Sequence, residues 1–156
     1  MVDLLDLQLG DWVKCKYIYA QVEQVDFDGV ILGGVYDGQQ FSYDEIDPIY
    51  LEDQFLKDMD FDYKQGTMFT GWEGYGLRIH DDRTIHLNTK YSMKCEYVHQ
   101  LQHLFKLIGV PAKIDFSNIS RKQLKLNNLL EHVDNGDLSL EEALKNALDW
   151  REIDDD

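Results

Sequence analysis

Two histidines spaced four residues apart, His99 and His103, have the type and spacing of a metal-binding pair, because positions i and i+4 share one face of a helix. A zinc hydrolase built on such a pair also needs a glutamate beside the first histidine and a third ligand. Here the neighbour is Gln100. The expectation is an exposed polar helix face with no metal and no other cofactor, and a metal-dependent enzyme using His99 and His103 stands as a second alternative. His80 and His86, with Arg78, form another group able to hold or pass a proton. On a half-buried sheet these are expected to be ordinary solvent-facing residues. The segment "EHVDNGDLSLEE" (131–142) imitates a calcium loop in Asn135, Gly136, Leu138 and Glu142. It offers Glu131 first and Val133 third, and a valine side chain has no oxygen for an ion that needs six to eight, so a capped helical hairpin is expected instead.

Phosphate-binding glycine loops, a nucleophile elbow and a Cys-His arrangement are all missing from the sequence. "GWEGYG" (71–76) reads as a tight hairpin turn carrying aromatics. Trp12, Trp72, Tyr75 and Trp150 serve either as core or as binding anchors. Cys15 and Cys95, far apart and outside any CxxC, are expected to be reduced, buried small residues.

The remaining chemistry is charge. "DEIDPIYLEDQFLKDMDFD" (44–62) holds eight carboxylates and one base, Lys57. The whole chain of 156 residues has a formal charge of −15, unevenly spread. Residues 1–62 carry 15 acids against three bases, residues 63–116 five against seven, and residues 117–156 ten against five. Such a chain repels phosphate backbones and anionic headgroups, which disfavours direct DNA or membrane binding and favours a basic protein partner. Solubility alone would account for a negative sum, but not for its concentration in the first two-fifths of the chain.

The elements that must position these groups follow from pattern. Between Trp12 and Ile46 a β-meander of three or four strands is expected, with tight positive-φ turns at Asp28-Gly29 and Asp37-Gly38, a small curved sheet of possible SH3-like form, and Pro48 ending it. "YLEDQFLKDMDF" places Leu51, Phe55, Leu56 and Met59 at helical spacing, leaving Glu52, Asp53 and Asp58 on the wet face; Asp44, Glu45, Asp47, Asp60 and Asp62 are not explained by that helix. A second β unit runs from Thr67 to about Lys90. Its "LRIHDDRTIHLN" alternates, with Leu77, Ile79, Ile85 and Leu87 on one face, and the turn at Asp81-Asp82-Arg83 sets Arg78 opposite His86. "CEYVHQLQHLFKLIG" is the clearest helix, with Tyr97, Val98, Leu101, Leu104, Phe105, Leu107 and Ile108 on one side and His99, Gln102, His103 and Lys106 on the other, stopped by Gly109 and Pro111. The tail reads as a helical hairpin. Ser120 caps its first helix, Asn135-Gly136 ends it, and Ser139 with Glu142 opens the second, so that Leu126, Leu129, Leu130 and Val133 face Leu140, Ala143, Leu144, Ala147 and Leu148.

Three segments in order resemble one family, the small uncharacterised proteins common in Bacteroidetes genomes and their prophages. "LQLGDWV" (7–13) is similar to that family's opening "L-x-x-G-N-x-V" strand, "IDPIYLEDQFLKDMDF" (46–61) to its "I-x-P-I-x-L-T-E-E-x-L-L-x-x-x-G-F" segment, and "EYVHQLQHLFKLIG" (96–109) to its "x-Y-V-H-Q-L-Q-N-L-Y-F-A-L-T-G" helix. The chain departs from the pattern at His103, where the family has Asn, and at Leu51-Glu52-Asp53, which lacks the Thr. The resemblance covers residues 7 to about 116. It implies a phage or mobile-element setting, and by class analogy an anti-CRISPR type of inhibitor.

The expected fold is α+β: curved antiparallel β-sheet units packed with a core helix over residues 1–116, plus a C-terminal helical hairpin over 117–156. The expected function is non-enzymatic. The protein would bind and inhibit a basic nucleic-acid-binding host defence protein or ribonucleoprotein, a CRISPR effector being one example, through Asp44, Glu45, Asp47, Glu52, Asp53, Asp58, Asp60 and Asp62. The first alternative is an accessory assembly module whose negative charge is incidental. With no secretion signal and no long apolar run, the expected location is the cytoplasm of a host bacterial cell.

Overall fold

A computed structural model describes residues 6–64, 68–72, 74, 76–88, 91–111 and 114–153, with no side-chain account of 68 or 147–153. Among the described residues the fold is α+β, two five-stranded antiparallel sheets with four α-helices.

The first sheet contains β1 (Trp12–Cys15), β2 (Ile18–Val25), β3 (Gly29–Leu32), β4 (Gln39–Ser42) and β5 (Ile46–Pro48), in the order β4-β3-β2-β1-β5. The first four strands join as consecutive hairpins, and β5 returns beside β1. Five strands stand in place of the three or four expected, with Pro48 at their end as the sequence implied. That proline is the last residue of an edge strand, where no ladder N–H is needed, and it pairs with Val13. The two Asp-Gly pairs behave differently. Asp37 and Gly38 both have positive φ, at the exit of a 3-10 turn (Gly34–Tyr36). Gly29 does not take positive φ; it is needed because a Cβ there would lie 2.1 Å from the Phe41 carbonyl oxygen of the paired strand. The tight left-handed turn is instead Lys16-Tyr17, with φ of 49° and 68°. Alternation along β1 sends Val13 and Cys15 into a core with Val22, Val30, Leu32 and Phe41, and Trp12 toward a second core.

That second core is built by α1 (Asp53–Asp58), the second sheet and α2 (Val98–Ile108). The sheet is larger than the expected span from Thr67 to about Lys90. It comprises β6 (Asp62–Lys64), β7 (Met68–Gly71), β8 (Leu77–His80), β9 (Thr84–Leu87) and β10 (Tyr91–Lys94), in the order β10-β9-β8-β7-β6. Strands β8 and β9 meet in the expected register, with Arg78 opposite His86 and Ile79 opposite Ile85. Leu77, Ile79 and Ile85 are buried beneath α2 residues Val98, Leu101, Leu104 and Phe105. In the β7–β8 connection, Glu73 and Tyr75 of the aromatic turn lie outside the described residues, as does Thr67. Trp72 donates its indole N–H to the Met59 carbonyl at 3.2 Å. Trp12 is 5% exposed and donates to the Ile114 carbonyl at 2.9 Å, which makes it core and not a surface anchor. The side chains of Leu148 and Trp150 are outside the description.

The C-terminal hairpin consists of α3 (Ser117–Asp134) and α4 (Leu140–Ile153). Ser120 does not cap α3. The helix begins three residues earlier, Asp115 accepts from the Ser117 N–H, and Ser120 is buried inside the helix, donating to the Tyr19 carbonyl at 2.5 Å. Gln123 accepts from the Tyr19 N–H at 2.8 Å, so this face of α3 is docked on β2. The far end follows the sequence: Asn135 closes α3, Gly136 takes φ of 80°, and Ser139 Oγ accepts from the Glu142 N–H at 3.2 Å.

Candidate functional site

The acidic stretch runs over three elements. Asp44 and Glu45 lie in a 3-10 turn (Tyr43–Glu45) entering β5, Asp47 is in β5, Glu52 caps α1, Asp53 and Asp58 bound α1, Asp60 is in the turn after it, and Asp62 opens β6. All eight carboxylates are exposed. Between them Ile46, Ile49, Leu51, Phe55, Leu56, Met59 and Phe61 are buried, so the apolar residues anchor the strip from beneath and the acids are left outward. For Glu52, Asp53 and Asp58 this is the wet helix face that the apolar spacing implies.

The acids are not equivalent. Ser42 Oγ donates to Asp44 at 2.5 Å, and the Ser42 N–H donates to Glu45 at 3.0 Å, so these two shape the turn; the Ser42 hydroxyl holds Asp44 below the usual carboxylate range. Asp53 meets the Arg83 guanidinium at 2.5 Å. Asp47 lies across the strand pair from Lys14, and Gln54 donates to Asp58 at 2.9 Å. Glu52, Asp47, Asp58, Asp60 and Asp62 form no ion pair among the described residues.

Arg83 was not singled out by the sequence. It sits at φ of 66° in the β8–β9 turn, and its guanidinium reaches across to donate to the Leu51 carbonyl at 2.6 Å and to Asp53. Only the contrast of one arginine in an acid-rich turn could have drawn attention to it.

The histidine pair on α2 is in a different place from the one its spacing implied. His99 is 2% exposed, not on an exposed polar face, and its ring stacks on Tyr97. His103 Nε2 lies 2.6 Å from Asp11 Oδ2, and Asp11 is fully buried. Gln102 accepts from the Trp12 N–H at 2.9 Å and donates to the Gly10 carbonyl at 3.0 Å. Lys106 donates to the Leu9 carbonyl at 3.3 Å. The "polar" side of α2 is thus a joint that grips residues 9–12, while Leu107, assigned to the apolar side, is 83% exposed. Helical spacing shows which residues share a side, but α2 has structure on both sides.

Chemically, Asp11 and His103 make an oriented imidazole without a nucleophile. No hydroxyl or thiol is bonded to either imidazole among the described residues. Asp11 Oδ1 and His99 Nδ1 are buried without a hydrogen-bond partner among the described residues. Burial pushes the His99 imidazole below its ordinary range, with the nearby Asp11 charge opposing. Among the described residues no group of three histidines, cysteines or acids is placed to hold a metal ion. His80 and His86 are half-buried, with ring centres 4.9 Å apart, and line an open hollow of about 530 Å³ with Asp81, Asp82 and Thr84. Tyr63 donates its hydroxyl to Asp81 at 2.9 Å, and the Thr84 N–H holds Asp82 low. Cys15 and Cys95 are both buried and unbridged, and burial lifts the Cys95 thiol to about 12. Neither thiol has the thiolate character that nucleophilic chemistry requires.

Fold and surface together define an α+β protein whose outward chemistry is acidic. No protein-family model, no curated protein and no solved structure matches this chain. No described helix is long and apolar enough to cross a membrane.

Proposed function

We propose that this is a non-enzymatic binding protein that lays its acidic strip on the basic nucleic-acid-binding surface of a host protein or ribonucleoprotein, and so blocks it. The observation that carries this reading is the exposure of all eight carboxylates between Asp44 and Asp62, mounted on a buried apolar underside with a single base, Lys57, among them. Closely spaced outward carboxylates on packed elements present negative charge at fixed positions, which is what a phosphate-reading surface attracts. Five of the eight are not used in the capping or ion-pairing contacts that hold Asp44, Glu45 and Asp53. The setting implied by the family resemblance, a phage or mobile element acting on a host defence enzyme such as a CRISPR effector, belongs to the same proposal.

The test is charge reversal at positions outside the capping and ion-pairing contacts, Asp58 giving up only its exposed bond from Gln54: Asp47→Lys, Glu52→Lys, Asp58→Lys and Asp62→Lys combined. The variant is expected to keep its circular dichroism spectrum and to lose a salt-sensitive interaction with its basic partner. Retained affinity in the folded variant removes the proposal.

A further inference from the structure

Phe27 stands wholly in water. Its relative exposure is 103%, no other described large hydrophobic exceeds 83%, and it belongs to neither core. Turn chemistry does not ask for it. The reversal Asp26-Phe27-Asp28-Gly29 between β2 and β3 suits aspartate and glycine, whereas a phenylalanine there leaves apolar surface in solvent at no gain to the fold.

The tip that carries this ring is braced. The Asp26 N–H donates to the Gly29 carbonyl at 2.8 Å, the Tyr43 hydroxyl donates to the Asp26 carbonyl at 2.5 Å, and the Gln24 amide donates to the Asp26 carboxylate at 2.7 Å. Gly29 lies so close to the Phe41 carbonyl that no side chain fits there. A ring on a turn fixed in this way gives up little freedom when a partner encloses it.

The same bonds set the tip beside the acidic strip. Gly29 is paired with Ser42, whose hydroxyl donates to Asp44, and Tyr43 opens the 3-10 turn that carries Asp44 and Glu45. Asp26 and Asp28 flank the ring in the chain, and residues 17–56 contain no Lys, Arg or His. An aromatic ring among carboxylates fits an apolar cleft with Lys or Arg at its rim, where the ring displaces water and the rim charges meet the flanking acids. A guanidinium at that rim also lies well over a ring face. Nucleic-acid bases and lipid bilayers accept a phenylalanine too, but they bring the phosphates that these acids repel.

We propose that Phe27 is the apolar anchor of the acidic face, inserting into a basic-rimmed apolar cleft on the protein that the strip from Asp44 to Asp62 engages. The anchor rests on the proposed role of that strip. It adds what charge alone does not supply, a part of the affinity that salt does not screen.

The full-length chain carrying Phe27→p-benzoylphenylalanine, illuminated in a host lysate, reports what surrounds the ring when the cross-linked peptide is read by mass spectrometry. The expected product joins position 27 to a basic nucleic-acid-binding protein, at a segment whose apolar residues lie beside Lys or Arg. That protein, purified, is then titrated across a salt series with the wild type, with Phe27→Ser and with the quadruple charge-reversed variant. Phe27→Ser is expected to keep its circular dichroism spectrum and to weaken binding about 30-fold at every salt concentration, with the salt dependence of the wild type retained. Cross-linking to a second copy of the chain, to lipid or to nothing, or a loss in Phe27→Ser of less than about fivefold, overturns the anchor. Binding that needs the strip's charges but not Phe27 overturns the anchor alone, whereas binding that needs Phe27 but is indifferent to charge reversal overturns the reading of the strip.

Discussion

The joint formed by residues 9–12 with α2 and the strip from Asp44 to Asp62 are written in similar letters, acids and amides with a few aromatics, and do opposite things. In the joint, Asp11, His99 and Gln102 are turned inward, and two of the three find partners across the chain at 2.6–3.0 Å. In the strip every carboxylate is turned outward. Burial makes a polar group dependent on its partner, because an orphaned buried group loses water and gains nothing. Exposure leaves the group's charge available to another molecule. The same residue types thus hold the fold in one region and keep their charge outward in the other.

Removing the joint's buried charge should produce the largest effect. Asp11→Ala leaves His103 without its 2.6 Å partner and the loop 8–11 without the Gln8 N–H to Asp11 bond of 2.8 Å. Two hydrogen bonds to the Asp11 carboxyl are lost, at about 1.5–3 kcal/mol each, so denaturant titration should show a large fall in the midpoint. A fall under about 1 kcal/mol would break the comparison by making the joint dispensable.

Arg83→Ala should come next. It removes a charge-assisted bond to the Leu51 carbonyl and frees Asp53, with an expected loss of about 1.5–3 kcal/mol, and Arg83→Lys should recover only part, since a point charge cannot serve both acceptors as a planar guanidinium does. Thermal melts of the three proteins check this ordering.

The pH dependence is smaller and has a definite sign. Burial lowers the folded His99 pKa from its ordinary value of 6.5. The unfolded chain then binds a proton that the folded chain refuses, so the contribution is present above the unfolded pKa and is lost as pH falls below it. Melting temperature should decline between about pH 7.5 and 5.5, above the range where ordinary carboxylates titrate, and His99→Gln should flatten that slope. An unchanged slope in the variant would assign the pH dependence to other groups.

Reversing Asp47, Glu52, Asp58 and Asp62 should have the smallest effect on stability. Exposed substitutions away from caps and buried pairs change stability by about 0.5 kcal/mol each or less. The strip therefore contrasts with the joint: the quadruple variant should melt close to wild type while losing its partner.

The sequence revealed the parts of this comparison that rest on local pattern. Leu77, Ile79, Ile85 and Leu87 alternate because one face of β8 and β9 is buried, and Gly109 and Gly136 mark helix ends because each takes positive φ. The exposure of Glu52, Asp53 and Asp58 followed from the helical spacing of Leu51, Phe55, Leu56 and Met59, whereas Asp44, Glu45, Asp47, Asp60 and Asp62 lie outside that pattern. What the sequence hid was set by distant contacts. His99 is buried because α2 packs on both sides, and the Asp11–His103 pair spans 92 positions. The Lys16-Tyr17 turn uses positive φ without glycine, asparagine or aspartate, so composition carried no signal of it. Strand β10 has only exposed residues, including Tyr91 and Met93, so it lacks the alternation that identifies a half-buried strand.

The most direct test of the acidic-strip proposal is parallel capture from a host lysate on immobilised wild-type protein and on the quadruple Lys variant, eluted by a salt gradient, with protein and RNA identified in each fraction. The account predicts a basic nucleic-acid-binding protein or ribonucleoprotein released from the wild type at moderate salt and absent from the variant. Recovery of the same molecules from both columns, or of no basic protein from the wild type, would contradict it.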